Sequence, residues 1–249
     1  SDEVIREVIH FYTREAGVRQ LDRNIAKVCR KAAKLIVEDK KKRLKVTSKN
    51  IEKYLGRKQF DIDLANEKDD IGIVRGLAWT AVGGTTLQVE VNAMPGKGEL
   101  KLTGQLGDVM KESAQIALSY IRSIANEYGV DKDFFSENDL HIHFPEGAVP
   151  KDGPSAGITM ATAILSAVTN IPVRCKVAMT GEINLRGKVM PIGGLKEKLL
   201  AAKTAGIKKV LVPKKNEPQL SEISSEITRG MSIVMVSDMR EVLKHALTK

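Results

Sequence analysis

Apolar residues near the start of the chain recur at helical spacing. Val4, Ile5, Val8, Ile9 and Tyr12 share one stripe that stops before Gly17. Leu21, Ile25, Val28, Ala32 and Leu35 repeat at intervals of four, three, four and three. Each pattern predicts an amphipathic helix. A short extension at Leu44-Lys45-Val46 leads to a last small helix, with Ser48 as its cap and Gly56 as its end. Three such helices bury little surface by themselves, so residues 1–56 form a unit that expects a neighbour.

Residues 57–70 are polar and acidic without a period and read as a linker. Beyond them, residues 71–249 form the larger domain. Strands are expected at 71–74, 77–81 and 87–91, the last with strict alternation. The turn Met94-Pro95-Gly96-Lys97-Gly98 then predicts a hairpin with 100–102, whose open edge would let an extended peptide add itself as a strand. Residues 108–128 predict a long helix with Val109, Ser113, Ile116, Tyr120 and Ile124 on one face, Asp108 as cap and Gly129 as stop. Residues 140–144 alternate as a strand, with His141 and His143 on one side. An apolar helix at 158–168, a strand at 175–179 and a hairpin turning at Arg186-Gly187 follow. The chain closes with a helix between Gly194 and Gly206, a strand at 209–212, a helix at 219–227, a strand at 233–236 and a helix at 238–247. Alternation of strands and helices predicts βαβ connections and a mixed sheet. The expected class is α+β: a small all-helical unit followed by a mixed α/β domain.

Candidate chemistry gathers at Pro150-Lys151-Asp152-Gly153-Pro154-Ser155-Ala156-Gly157. A serine between Gly and Pro at a helix mouth presents its hydroxyl with little bulk around it. Helix-start N–H groups, here those of Ser155 and Ala156, lack intrahelical partners and can receive an oxyanion. The run satisfies Gly-x-Ser-x-Gly, a weak signal alone. An ordinary N-cap serine fits it equally, so the proton acceptor decides. Of the four histidines, His10, His141, His143 and His245, only His245 lies downstream of Ser155, with Asp238 as the only downstream Asp. That order allows a Ser-His-Asp triad, although a solvated histidine in a terminal amphipathic helix explains His245 as well. Lysine is the other acceptor. Leu195, Leu199, Ala202 and Ala205 form a stripe that contains Lys198, whereas Lys196 and Glu197 point away. An ammonium held on an apolar face is pushed toward its neutral, basic form. A lysine whose stem covers apolar surface while its head reaches water is the competing reading.

Together with Met179-Thr180-Gly181-Glu182, Leu185-Arg186-Gly187 and Pro191 to Lys198, the serine segment closely resembles the bacterial Lon family of ATP-dependent proteases. The resemblance continues through Gly76-Leu77-Ala78-Trp79-Thr80 and the first helices, so it covers nearly the whole chain. It implies an AAA+ helical lid at 1–56 and a Lon-type proteolytic domain at 71–249. It implies Ser155 as nucleophile, Lys198 as general base and Thr180 as the group that holds the lysine. It further implies Arg19, in Glu15-Ala16-Gly17-Val18-Arg19, as a nucleotide sensor, although an exposed helix-start arginine is the plain alternative. Unfolded or damaged proteins as substrates, a homo-hexamer, weak DNA association and ATP with Mg in the complete protein are also implied. Trp79 either lines a substrate groove or fills the core. Asp152 either tunes or blocks the site, or is a turn aspartate.

Composition adjusts this picture in few places. No Gly-x-x-x-x-Gly-Lys-[Ser/Thr] is present, Gly96-Lys97-Gly98 lacks the spacing, and the chain opens on Ser1. A fragment without ATP hydrolysis and without a bound cofactor is therefore expected. A net charge of +9 raises nucleic acid as a partner, but the basic residues are scattered apart from Lys40-Lys41-Lys42-Arg43, and aromatics at 4% offer little for bases to stack on. His141-Ile142-His143 invites zinc, yet no third ligand has suitable spacing, and no metal is expected. Cys29 and Cys175 stand far apart as reduced thiols, which suits the cytoplasm. No apolar run approaches a membrane span.

Overall fold

A computed structural model of the chain describes residues 1–38, 43–61, 64–145 and 149–248. It divides into two compact units, Ser1–Asp63 with Ala81–Gly83, and Leu64–Thr80 with Gly84–Lys249.

The first unit is helical: α1 (Asp2–Tyr12), α2 (Arg19–Glu38) and α3 (Ile51–Leu55). Val4, Val8 and Tyr12 of α1 are buried with Ile51, Tyr54 and Leu55 of α3. The buried stripe of α1 is narrower than its periodicity suggests, since Ile5 and Ile9 are exposed. The Glu15 carboxylate accepts from the Gln20 and Leu21 N–H groups, which fixes the start of α2 at Arg19. No residue of α2 is fully buried; Leu21, Val28 and Ala32 only lean on the small core. Ser48 does not cap α3. Asn50 precedes that helix, and its side chain instead accepts from Thr47 N–H at 2.8 Å, stabilising the turn before it. Gly56 ends α3 at φ 91°. Lys40, Lys41 and Lys42 lie outside the described residues.

The second unit is a three-layer sandwich around a sheet. Its strands are β1 (Ile73–Thr80), β2 (Gly83–Pro95), β3 (Leu100–Thr103), β4 (Asn138–His143), β5 (Val177–Met179), β6 (Glu182–Ile183), β7 (Val189–Met190), β8 (Lys209–Pro213) and β9 (Ser232–Val236). Its helices are α4 (Asp108–Ile124), α5 (Phe134–Glu137), α6 (Gly157–Thr169), α7 (Leu195–Thr204), α8 (Glu217–Ser221), α9 (Ser225–Thr228) and α10 (Met239–Ala246). Seven strands run in the order β3-β4-β2-β1-β5-β8-β9, while β6 and β7 form a separate pair. The pairings β1·β5, β5·β8 and β8·β9 are parallel and β2·β4 is antiparallel, so the sheet is mixed.

Strand alternation sorts the two faces. Val74, Met179 and Leu211 point to the layer of α4, α6 and α10, whereas Leu77, Ala178, Val210 and Val212 point to that of α7. Helix α6 is buried from Gly157 to Val168, apolar all round as its sequence requires. In α4 the buried arc runs through Met110, Ser113, Ala114, Ala117, Tyr120, Ile121 and Ile124, and Val109 is exposed. Alanines let that helix approach α6 closely, so the interior side is centred on the small residues.

Two other expectations change. Strands β2 and β3 are not a hairpin, because β4 lies between them. The Asp139 carboxylate accepts from Lys97 and Glu99 N–H at 2.8 and 2.9 Å, holding their turn open around β4. The open edges of the sheet are β3 and β9, so the strand expected at 100–102 does lie at an edge. Residues 219–227 break into α8 and α9, with Ser224 capping the second through Glu226 N–H.

Candidate active site

Pro154–Ala156 form one 3-10 turn that runs into α6, with Gly153 ahead of it at φ 122°. Ser155 thus sits before the helix and is not its cap. The turn is tied to the segment that leaves β5: Ser155 C=O accepts from Gly181 N–H at 2.8 Å and from Thr180 Oγ1 at 3.3 Å, and Ile158 N–H donates to Gly181 C=O at 3.1 Å. A side chain at position 157 would press on Ile183, so Gly157 permits this approach. On the other side, Gly107 N–H donates to Lys151 C=O at 2.8 Å, and Lys151 N–H to Gln105 C=O at 3.0 Å. Asp152 Oδ1 accepts from Met110 N–H at 3.0 Å and from Gly153 N–H at 2.9 Å. This carboxylate serves the first turn of α4, the role expected of Asp108, and Asp152 lines the same cleft as Ser155 and Lys198.

Lys198 approaches from the opposite layer. It is 3% exposed, in line with Leu195, Leu199 and Ala202, whereas Lys196 is exposed. Its Nζ lies 3.0 Å from Ser155 Oγ and 3.0 Å from Thr180 Oγ1. Thr180 directly follows β5, so serine and lysine meet just beyond the carboxyl end of a central parallel strand, where α/β sheets place their sites. Burial pushes the Lys198 ammonium down from 10.5 to about 8. At 1.36 kcal/mol per pH unit, holding that charge costs about 3 kcal/mol. A neutral amine beside a hydroxyl can take its proton; an ordinary surface lysine at neutral pH has no free lone pair to do so.

Two glycines seat the lysine helix. Gly84, near the start of β2, packs against the Glu197 carbonyl, where any side chain would collide with backbone. Gly194 precedes α7 at φ 65° and lies under the Trp79 ring. Neither contact is legible in the sequence, because Gly84 and Glu197, and Gly194 and Trp79, lie far apart along the chain.

A cleft of about 410 Å³ opens beside Ser155 and Lys198, lined by Leu77, Trp79, Met110, Val149 and Ile192 among others. Trp79 is 59% exposed, so it forms a wall of this cleft and not part of the core. The lining is mostly apolar with a few converging polar groups, as is usual for ligand-binding clefts.

Other candidates stand apart. His245 lies on α10 and Asp238 caps that same helix through Arg240 N–H; neither lines the cleft. Thr103 Oγ1 sits 2.9 Å from His141 Nε2 and 2.7 Å from His143 Nδ1, so a hydroxyl joins the two rings. Arg19 is exposed in the helical unit. In Gly96-Lys97-Gly98 the Lys97 N–H donates to the Asp139 carboxylate and the Gly96 N–H to Glu137 C=O, and that carboxylate opposes a phosphate there. No helix among the described residues is long and apolar enough to cross a membrane.

Comparison with known proteins gives a consistent picture. Residues 1–46 match the Lon protease AAA+ ATPase lid domain, and residues 45–249 match the Lon protease C-terminal proteolytic domain. The chain is 58% identical to a Lon protease of Bacillus thuringiensis over 99% of its length and 31% of that protein. It is 55% identical to one of Lachnoclostridium phytofermentans over 99% of its length and 35% of the relative, and 54% identical to Lon protease 1 of Bacillus subtilis over 99% and 32%. It spans about a third of the length of these relatives. A chain matched end to end by the family's lid and proteolytic domains, with an α/β fold behind a helical unit, belongs to the Lon protease family.

Proposed function

We propose that this chain is the peptide-cleaving part of an ATP-dependent serine endopeptidase, working through a Ser155–Lys198 dyad. The observation that carries this reading is the buried Lys198 amine, 3.0 Å from Ser155 Oγ and pushed down to about 8. Neutral Lys198 takes the Ser155 proton as Oγ attacks a peptide carbonyl. The tetrahedral oxyanion is received by the N–H groups of Ser155 and Ala156. Collapse of that intermediate passes the proton from Lys198 to the leaving amine and leaves an acyl-enzyme. Water, deprotonated by the same lysine, then releases the acyl group. Thr180 Oγ1 holds the Lys198 amine toward Ser155. Asp152 keeps the serine segment on the start of α4, and Trp79 with the apolar cleft receives an extended, unfolded chain.

Unfolded and damaged proteins are the proposed substrates, in the cytoplasm, with delivery by an ATPase core that carries ATP and Mg. Arg19 would sense that nucleotide, and the complete protein would be a homo-hexamer. Weak DNA association rests on the family resemblance and on the net charge of +9.

A serine-directed fluorophosphonate tests the reading directly. Labelling of the wild type without nucleotide is expected to place the adduct on Ser155 by mass spectrometry. Lys196→Met and His245→Ala should label and cleave a short fluorogenic peptide within roughly twofold of the wild type, as surface changes do. Loss of labelling in His245→Ala would replace the dyad with a histidine base.

A further inference from the structure

Asn216 is a buried polar side chain that the reaction scheme above leaves unused. It closes the 3-10 turn Lys214–Asn216 after β8, is 1% exposed, and directs its amide mainly at one residue. Its Oδ1 accepts from Ile192 N–H at 3.0 Å, and its Nδ2 donates to Ile192 C=O at 2.8 Å and to Gln219 Oε1. One side chain thus satisfies both main-chain groups of Ile192, as an adjacent antiparallel residue would.

Ile192 is the point where such a clamp has most effect. The segment Pro191, Ile192 and Gly193 lines the cleft beside Ser155. Gly193 and Gly194 come next, two residues with unusual backbone freedom, and Lys198 lies four residues beyond Gly194 in α7. Without an anchor just before this glycine pair, the cleft wall and the first turn of α7 could shift together. A displacement on the order of 1 Å is enough to lose about 100-fold in rate.

We propose that Asn216 is a positioning residue for peptide cleavage, holding Ile192 so that the cleft wall and the lysine helix keep their places. This rests on the dyad reading above. In an apolar surrounding, Asn216→Ala leaves both Ile192 groups without partners, whereas Asn216→Asp keeps the shape and the bond from Ile192 N–H but sets a carboxylate against Ile192 C=O.

The test compares wild type, Asn216→Ala and Asn216→Asp on a short fluorogenic peptide, well below each unfolding midpoint, with hydrogen exchange at Ile192 N–H read in parallel. Both variants are expected to lower kcat/KM by roughly 10- to 100-fold, mostly in kcat. In Asn216→Ala, the pH inflection should move up as water reaches Lys198, and Ile192 N–H should exchange faster. A lower midpoint with unchanged kcat and inflection would reduce Asn216 to a structural residue and overturn the proposal. If Asn216→Ala does not fold, Asn216→Asp carries the same comparison. A wild type that cleaves nothing would count against the dyad reading. Unchanged Ile192 exchange in Asn216→Ala would count against the clamp whether or not the wild type cleaves.

Discussion

Lys198→Met is expected to lower peptide cleavage by about 10³-fold or more while making the protein more stable at neutral pH. The two effects share one cause. The ammonium is held in a nearly dry site, and its value falls from 10.5 to about 8. Below pH 8 the folded and unfolded chains both carry the proton, so the folded state bears the full penalty of about 3 kcal/mol. Between pH 8 and 10.5 the unfolded chain holds the proton and the folded chain does not, so stability of the wild type rises with pH across that window. Methionine fills similar volume without charge. After subtracting the hydrogen bonds to Ser155 and Thr180, Lys198→Met should gain about 1–2 kcal/mol below pH 8 and lose that advantage by pH 10.5. Urea unfolding at pH 7 and pH 10 measures it. A variant less stable than wild type at pH 7 would mean that the ammonium is solvated and the site wet.

Ser155→Ala should remove cleavage by about 10⁴-fold or more, since no other group stands where its oxygen does. Stability should change by less than about 1 kcal/mol, because only a hydroxyl is lost and Lys198 keeps Thr180 at 3.0 Å. Substrate binding should survive. Trp79 is the only tryptophan and stands at the cleft, so its fluorescence reports an unfolded chain entering the site. A titration of Ser155→Ala with a non-cleaved peptide is expected to saturate as in the wild type. Loss of both signals would assign Ser155 to holding the cleft and not to chemistry.

The parts of the site that were legible in the sequence are those fixed by local periodicity. Lys198 was separable from Lys196 because one falls within the stripe of Leu195 and Leu199 and the other does not; the burial of Lys198 and exposure of Lys196 follow that division. The mixed sheet was legible from strands alternating with helices. Contacts made between distant segments were not. Nothing in residues 94–102 announces that Asp139 will hold the turn open and let β4 enter between β2 and β3. Asp152 reads as a turn residue until α4 supplies the Met110 N–H that it accepts. Gly84 and Asn216 act on Glu197 and Ile192 at long range, and a single sequence carries no sign of either partner. Helix-face errors have the same origin: Val109 was placed inward by spacing alone, but the closeness of α6 rewards the alanines of α4 instead.

Lys198 acting as the base for Ser155 is the central claim, and the pH dependence of kcat/KM for a short peptide, without nucleotide, measures it most directly. The rate should rise with pH through an inflection near 8, the value to which burial brings this lysine, and the inflection should be unchanged in His245→Ala. A rise centred near the ordinary histidine range and abolished in His245→Ala, or a rate retained in Lys198→Met, would contradict it.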